Sequence, residues 1–339
     1  MSKEITEASD LFDENGKLII DGWARKPIIN YNRENVPCGW HRLKEWDNYV
    51  VVCPNHVFSV TVADVGYLGQ VSFNLINLKT LDETSGGSMK FFTKGRMNLP
   101  TSSQEGDIEI HEDEFDLTLK KLEDRRIISF KYPTFGEKGL AGTITCYQDP
   151  DKDSIVKVNR YEKKKKKFYY SDKIMWMPAE GVLTFGDETY EFEKEKCYCR
   201  LDWGRGNWPY KIHWYWGGGC GKTEDGHEIW FSHGHSYEDP TLHDKNMVGY
   251  DGIGHKLGPI KFHLPDNLMD EWKFTSEDGR FEMTLKPIYI HEPNMNFIIF
   301  SSKAIIVYGY YNGQVILDDG TKVKVKNILG HAERVSWKW

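Results

Sequence analysis

No stretch of this 339-residue chain holds apolar residues at helical spacing for any length, and the best helical candidate is one turn near Asp266 to Met269. What recurs instead is a short alternating run, a turn signal and another run. Leu43 to Val52 alternates, Pro54-Asn55 breaks it, and Val57 to Val62 resumes; Gly66 and Gly69 flank the next turn before Gln70 to Leu78. Further runs follow at Met89 to Met97, Asp107 to Ile110, Phe115 to Lys120, Ile127 to Tyr132 and Ala141 to Tyr147. A second series starts at Phe168 and includes Glu188 to Phe192, Lys196 to Leu201, Ile212 to Trp216, Ile229 to His233, Phe281 to Leu285, Ala304 to Tyr311 and Glu333 to Trp337. Asp319-Gly320 is a hairpin signal within it. Strands about 8–12 residues apart with turns between them make a sandwich or barrel. The aromatic content of 14% agrees, since aromatic side chains favour pleated surfaces.

The expected fold is therefore all-β with little helix: two antiparallel barrels or strongly curved sheets. The first domain is placed at residues 1–165 and the second at 166–339, with the first 24 or so residues as a leader that packs late or not at all. A net charge of −7 implies no general affinity for nucleic acid or anionic membrane. No apolar run approaches the roughly 20 residues of a membrane span. Met1 to Asp10 is polar and acidic and lacks the pattern of a signal peptide, so a cytoplasmic location is expected. The six cysteines are scattered without a C-x-x-C pair and read as small core residues in a reducing compartment.

The richest stretch is Asp202 to Trp216. It holds four of the 12 tryptophans, Trp203, Trp208, Trp214 and Trp216, with Tyr210, an acid and a guanidinium. Gly204, Gly206 and Pro209 suggest a turn entering a strand, with Asp202 and Arg205 close enough to pair. Alternation then places Ile212, Trp214 and Trp216 on one face, opposite Lys211. Two readings stand: a corner tied by Asp202 and Arg205, or the wall of a site whose cavity these tryptophans line. The meander order puts this strand beside the one carrying His233. His233, His235 and Asn246 join the ligand-binding candidates.

Other motifs fail on spacing. Gly217 to Thr223 resembles a phosphate loop, but Trp216 stands where its first glycine belongs and no helix follows. Asp149 to Asp153 begins like a calcium loop, but Ser154 replaces the glycine and Arg160 the final glutamate. His227, His233, His235 and His243 cluster, but Glu238 follows too soon for a cupin metal set, so no metal and no cofactor is expected. Lys163 to Lys167 reads as a solvated loop.

Gly22-Trp23-Ala24-Arg25-Lys26-Pro27, Lys44-Glu45-Trp46-Asp47, Met177-Pro178-Ala179-Glu180-Gly181, Asp202-Trp203-Gly204-Arg205-Gly206 with Trp208-Pro209-Tyr210, and Gly309-Tyr310-Tyr311-Asn312-Gly313 span nearly the whole chain. In them the chain resembles the bacterial domain-of-unknown-function 2804 family. That family is similar, more distantly, to the carotenoid 1,2-hydratase, AttH-like and tocopherol cyclase group of the calycin superfamily. The resemblance implies two lipocalin-like barrels and a hydrophobic, terpenoid- or lipid-like small molecule as partner. In the relatives an acid and a histidine near a Trp-Gly motif are implied in protonating an alkene; here Asp202 precedes Trp203-Gly204 with no histidine between. The expectation is a cofactor-free hydratase, isomerase or cyclase with Asp202 as acid and Arg205 beside it. The alternatives are non-catalytic binding of a hydrophobic ligand, or glycan binding on the tryptophans.

Overall fold

The computed structural model describes residues 3–161, 166–236, 244–296 and 300–338. Lys163 to Lys165, Glu238, His243 and the apolar residues 297–299 lie outside the described residues. Two antiparallel sheets account for nearly all of the regular structure. The helical turns among the described residues are Arg33–Asn35 and Phe135–Glu137, three residues each. Residues 266–269 form bends and a turn instead of the helical turn expected there.

The chain divides into two compact units. One comprises Ile5–Arg160 and Phe168–Asn207; the other comprises Met1–Glu4, Tyr161–Lys167 and Trp208–Trp339. The expected boundary at 165/166 is thus displaced to Asn207/Trp208. The reason is pairing: Phe168–Phe185 pairs with Leu140–Tyr147, and Tyr198–Asn207 with Leu43–Cys53, so both strands belong to the first unit. The expected leader is also structured. Ile5, Leu11, Phe12, Leu18 and Trp23 are buried, and Gly22–Ala24 pairs with Ile155–Arg160.

In the first unit the sheet runs from Asp82–Phe91 through Leu68–Asn77, His56–Asp64, Leu43–Cys53, Tyr198–Asn207, Phe168–Phe185, Leu140–Tyr147, Arg125–Tyr132 and Asp116–Lys121 to Ile108–His111. Period-two alternation sends Tyr49, Val51, Phe58, Val60, Val62, Val71 and Phe73 into one core. Cys53 and Cys197 are joined by a disulfide, against the expectation of reduced core thiols; Cys146 and Cys199 are free and buried. The bond ties the end of Leu43–Cys53 to the entry of its neighbour across 144 residues of sequence.

The second unit orders Ile253–Lys256, Met247–Tyr250, Glu228–Ser236, Lys211–Lys222, Lys322–Lys338, Ser301–Ile316, Phe281–His291, Trp272–Ser276 and Ile260–His263. The last two long strands form a hairpin across Asp319-Gly320, as the sequence signalled. Gly217 sits opposite His233, so the strand of Trp214 and Trp216 does run beside that of His233. Ile212 and Trp216, on the face expected to line a cavity, are buried. Phe231, Tyr311, Ala332 and Ile328 pack on the side of Gly217, Gly219 and Gly221, where a Cβ would meet Tyr311, Phe231 and Ile328 within 3.3 Å. Three glycines make room for large neighbours, which charge alternation alone does not reveal.

Gly204 has a similar task in the first unit. It lies opposite Trp46, whose indole stacks on Tyr169 with centroids 5.8 Å apart, and a Cβ there would sit 2.3 Å from the indole. Gly204→Ala is expected to cost about 1–3 kcal/mol through overpacking. Urea unfolding measures this, and an unchanged midpoint would mean that the indole yields freely.

Candidate functional site

Asp202 and Arg205 both lie in Tyr198–Asn207, which is strand through Asn207 with no turn inside it. Neither Gly204 nor Gly206 has positive φ. Residues three apart in a strand point to opposite faces. The expected Asp202–Arg205 pair therefore does not form, and each residue finds partners from a neighbouring strand.

On one face Asp202 forms an ion pair with Lys173, which lies directly across the ladder, and accepts from Trp46 Nε1 at 3.2 Å. Lys173 is buried and Asp202 nearly so. An acid matched by an ammonium is a poor proton donor. On the other face Arg205 has no exposed surface. Its Nη2 is 2.9 Å from Asp47 Oδ1 and its Nε is 3.6 Å from Glu45 Oε1. It also donates to the carbonyls of Trp46, Gly204 and Pro100, and lies 4.1 Å above the Trp203 ring. Glu45 accepts in turn from Tyr31 Oη at 3.0 Å and Arg33 Nε at 2.8 Å. Burial, with Glu45 second, pushes the Tyr31 phenol well up, and burial raises the Asp47 carboxyl despite Arg205. Both terminal nitrogens of Arg205 donate to backbone carbonyls while Nε meets Glu45 only as an ion pair, so the residue acts as a clamp on the fold.

A second polar group fills the same unit. Asp172 precedes Lys173 and so points to the opposite face. It is fully buried, and its partners are neutral: Ser154 Oγ at 2.6 Å, Ser103 Oγ at 2.7 Å and Gln104 Nε2 at 3.4 Å. Burial raises its carboxyl pKa, with the hydroxyl bonds and Arg126 acting against it. Arg126 is held away from direct pairing by Tyr49, Gln148 and the Ser103 carbonyl.

Ser154, Gln104 and Gln148 also line a small, partly open cavity of about 30 Å3, room for one water, together with Ile174 and Trp176. Beside it lies an open recess of about 320 Å3 walled by Trp176, Tyr147, Pro150, Pro178, Lys152 and Asp124. Trp176 belongs to both. The ladder shifts register between Ile174 and Met177, a bulge that places Trp176 off the regular alternation. Its Nε1–H is buried with no acceptor among the described residues. Sequence reasoning missed this site. The available signal was an acid set in an apolar strand, Tyr169-Tyr170-Ser171-Asp172, followed by Met175-Trp176-Met177.

The other candidates are placed elsewhere, and none lines either cavity. Trp203 is buried under Arg205. Trp208 and Trp214 pack with centroids 6.0 Å apart, Trp214 donates to Glu333, and Trp216 donates to Ser232 Oγ. Tyr210 is exposed with Lys338 above its ring. Asn246 accepts from Gly234 N and donates to the Gly258 carbonyl, tying two segments of backbone. His235 packs against Tyr215 and Phe262. No group of three metal-binding side chains forms among the described residues.

His233 is fully buried within a shell of Phe231, Phe262, Phe274 and Phe281. Tyr311 Oη donates to the His331 carbonyl at 2.8 Å, so it must accept from His233 Nε2 at 3.0 Å. This fixes His233 as the neutral Nε2–H tautomer. Burial, with His235 second, pushes its pKa down to about 3.

Two predictions follow from these pairs. Asp202→Asn removes the ionic partner that faces the buried Lys173 ammonium across the ladder and is expected to cost about 3 kcal/mol, most of it recovered when Lys173→Met is added. Chemical denaturation of the single and double variants tests this; additive losses would contradict it. The second concerns His233, whose folded pKa is depressed, so its stability is intact above the unfolded pKa of about 6.5. As pH falls the unfolded chain takes up a proton that the native state refuses, and by pH 5 the loss is about 2 kcal/mol. Asp47 and Asp172, with raised pKa, contribute the opposite slope. The comparison must therefore be with His233→Gln, which keeps a donor to Tyr311 and should lose less stability between pH 7 and pH 5; identical slopes would contradict the prediction.

With this geometry in hand, the chain can be set against known proteins. A family model described as domain of unknown function (DUF2804) matches residues 2–339. No curated protein matches the chain. Among solved structures it is similar to CghA with Sch210972 at 10% identity and a TM-score of 0.56, covering 97% of each chain. It is also similar to kievitone hydratase from Nectria haematococca at 10% identity and a TM-score of 0.51, covering 93% of this chain and 97% of the other. At these identities the likeness is one of fold.

Proposed function

We propose that this chain, which belongs to the domain-of-unknown-function 2804 family, acts on a hydrophobic small molecule by cofactor-free acid–base chemistry, with Asp172 carrying the proton. The observation that carries this reading is the environment of Asp172. It is a fully buried carboxyl with raised pKa, held by neutral donors, and one of them, Ser154, lines the small cavity. A carboxyl whose pKa is raised by burial holds its proton more readily than an acid paired to lysine, and so is the better placed of the two to donate. The protonated Asp172 would pass its proton to Ser154 Oγ while Ser154 gives its own to a water in the small cavity, which in turn protonates a substrate held in the adjoining recess. The Trp176 face would stabilise positive charge developing on a protonated alkene, and its free N–H would hold an oxygen of the ligand. One solved structure of this fold is a hydratase by name, which agrees with water addition or its reverse. Asp202, the acid expected from the sequence, would then serve the sheet.

Carriage of the ligand without reaction is the second reading, favoured by the recess itself, whose Trp176 and Tyr147 need no acid. The readings separate in deuterated water. A panel of terpenoid and phenolic alkenes is incubated with the protein and followed by mass spectrometry. Wild type should place solvent deuterium on substrate carbon, and Asp172→Asn should lower that rate by roughly 10²–10⁴ with its thermal midpoint retained. Asp202→Asn should turn over normally per folded molecule. Bound ligand recovered unchanged from wild type and variant alike would favour carriage, and an Asp172→Asn protein as active as wild type would remove Asp172 from the chemistry.

A further inference from the structure

At one edge of the first unit the chain displays large apolar side chains to solvent. Phe91 is 69% exposed, Phe92 59%, Met89 49% and Trp40 42%. Met89 and Phe91 share the outer face of the edge strand Asp82–Phe91. Phe92 N donates to the Tyr67 carbonyl, Lys94 N to the Gly66 carbonyl, and Lys94 Nζ lies 5.3 Å from the Trp40 ring. Three separate segments, around residues 40, 66 and 92, therefore form one cluster.

The cluster is built and held. Buried Asp64 accepts from Gly66 N at 2.8 Å, Thr93 Oγ1 at 2.8 Å and Met97 N at 3.1 Å. Buried Lys44 donates to the carbonyls of His41 and Val65. Phe92 and Lys94 are held at φ of 57° and 56°, a region that side chains other than glycine seldom occupy. Such conformations persist only where the surroundings impose them. Two buried charges thus fix loops whose outward face is aromatic.

The charge around the aromatics has one sign. Residues 39–42 and 88–98 contain Arg42, Lys90, Lys94 and Arg96 and no acid, in a chain whose net charge is −7. The neighbouring carboxylates are occupied: Glu112 pairs with Lys90 at 3.0 Å, and Asp64 is buried. Aromatic side chains rimmed by cations suit the headgroup region of a membrane, where rings enter the interface and cations meet phosphate. The overall negative charge argued against membrane affinity, but a local patch acts within a Debye length whatever the total.

We propose that this edge is a peripheral docking surface for an anionic lipid membrane, with Trp40, Phe91 and Phe92 entering the interface and Arg42 and Lys94 facing the phosphates. The test is co-sedimentation of the full chain with vesicles of phosphatidylcholine alone and of phosphatidylcholine with about 30% phosphatidylglycerol. Binding to the anionic vesicles should be at least about tenfold tighter, and should fall about tenfold as salt is raised from about 0.1 to about 0.5 M. The double variant Phe91→Ser with Phe92→Asn should abolish binding with its thermal midpoint unchanged, since both side chains are exposed and Asn accepts positive φ. Arg42→Glu with Lys94→Glu should remove the preference for anionic lipid. Equal binding to both vesicle types, or aromatic variants that bind as wild type does, would overturn the proposal. Light scattering supplies a third arm. A wild-type dimer that the aromatic variant converts to monomer, without lipid binding, would assign the face to a second copy of this chain and overturn the lipid reading.

Discussion

A guanidinium with no exposed surface must be matched inside the protein, and the first unit is arranged around that requirement at Arg205. Two carboxylates and three backbone carbonyls converge on it, drawn from two adjacent strands and the loop at Pro100. Breaking such a pair by removing one partner leaves an uncompensated buried charge and costs several kcal/mol. Arg33 and Tyr31 extend the network from near the N-terminus to Glu45. The segment that the sequence presents as a leader is thereby followed at once by residues bound into the deepest polar contact of the unit.

Next to this charged clamp is a network of different character. Asp172, Ser154, Ser103 and Gln104 are linked by neutral hydrogen bonds under a cavity, whereas Asp202 and Lys173 neutralise each other one residue away on the opposite face. One environment stabilises charge and the other disfavours it. Separate environments of this kind let carboxylates in one domain take separate roles. The bulge at Trp176 adds to the contrast by bringing an indole to the cavity that Ser154, a partner of Asp172, also lines.

The fold class was legible because it rests on local alternation, which a strand shows without reference to its neighbours. Glu188–Phe192 is found where the alternation put it, and the long C-terminal hairpin turns at Asp319-Gly320. The site was less legible because it rests on pairing. Gly204 and Gly206 look like turn residues, yet both lie within a strand, and Gly204 allows a close approach there; nothing near it in sequence announces that Trp46 lies on it. Asp202 and Arg205 invite pairing by proximity, and their partners are Lys173, Asp47 and Glu45 from other strands. In Lys211–Lys222 the side that packs on Phe231 and Tyr311 was hard to read for a related reason. Its glycines carry no hydrophobic signal, although they define the packed side through the size of what they admit.

The 18-residue strand Phe168–Phe185 pairs with four others, and its register decides which network each of two adjacent buried residues, Asp172 and Lys173, meets. Deleting one residue ahead of Ser171 would exchange them, driving the Lys173 ammonium toward Ser154 and the Asp172 carboxyl toward Asp202. Both networks would fail at once, one by burying a lone cation and the other by setting two acids together. Length should therefore be far less variable than residue identity in this strand over evolution. Insertions and deletions separating related chains should collect in the connections around it, and an engineered tag or fusion placed within it would cost both networks together.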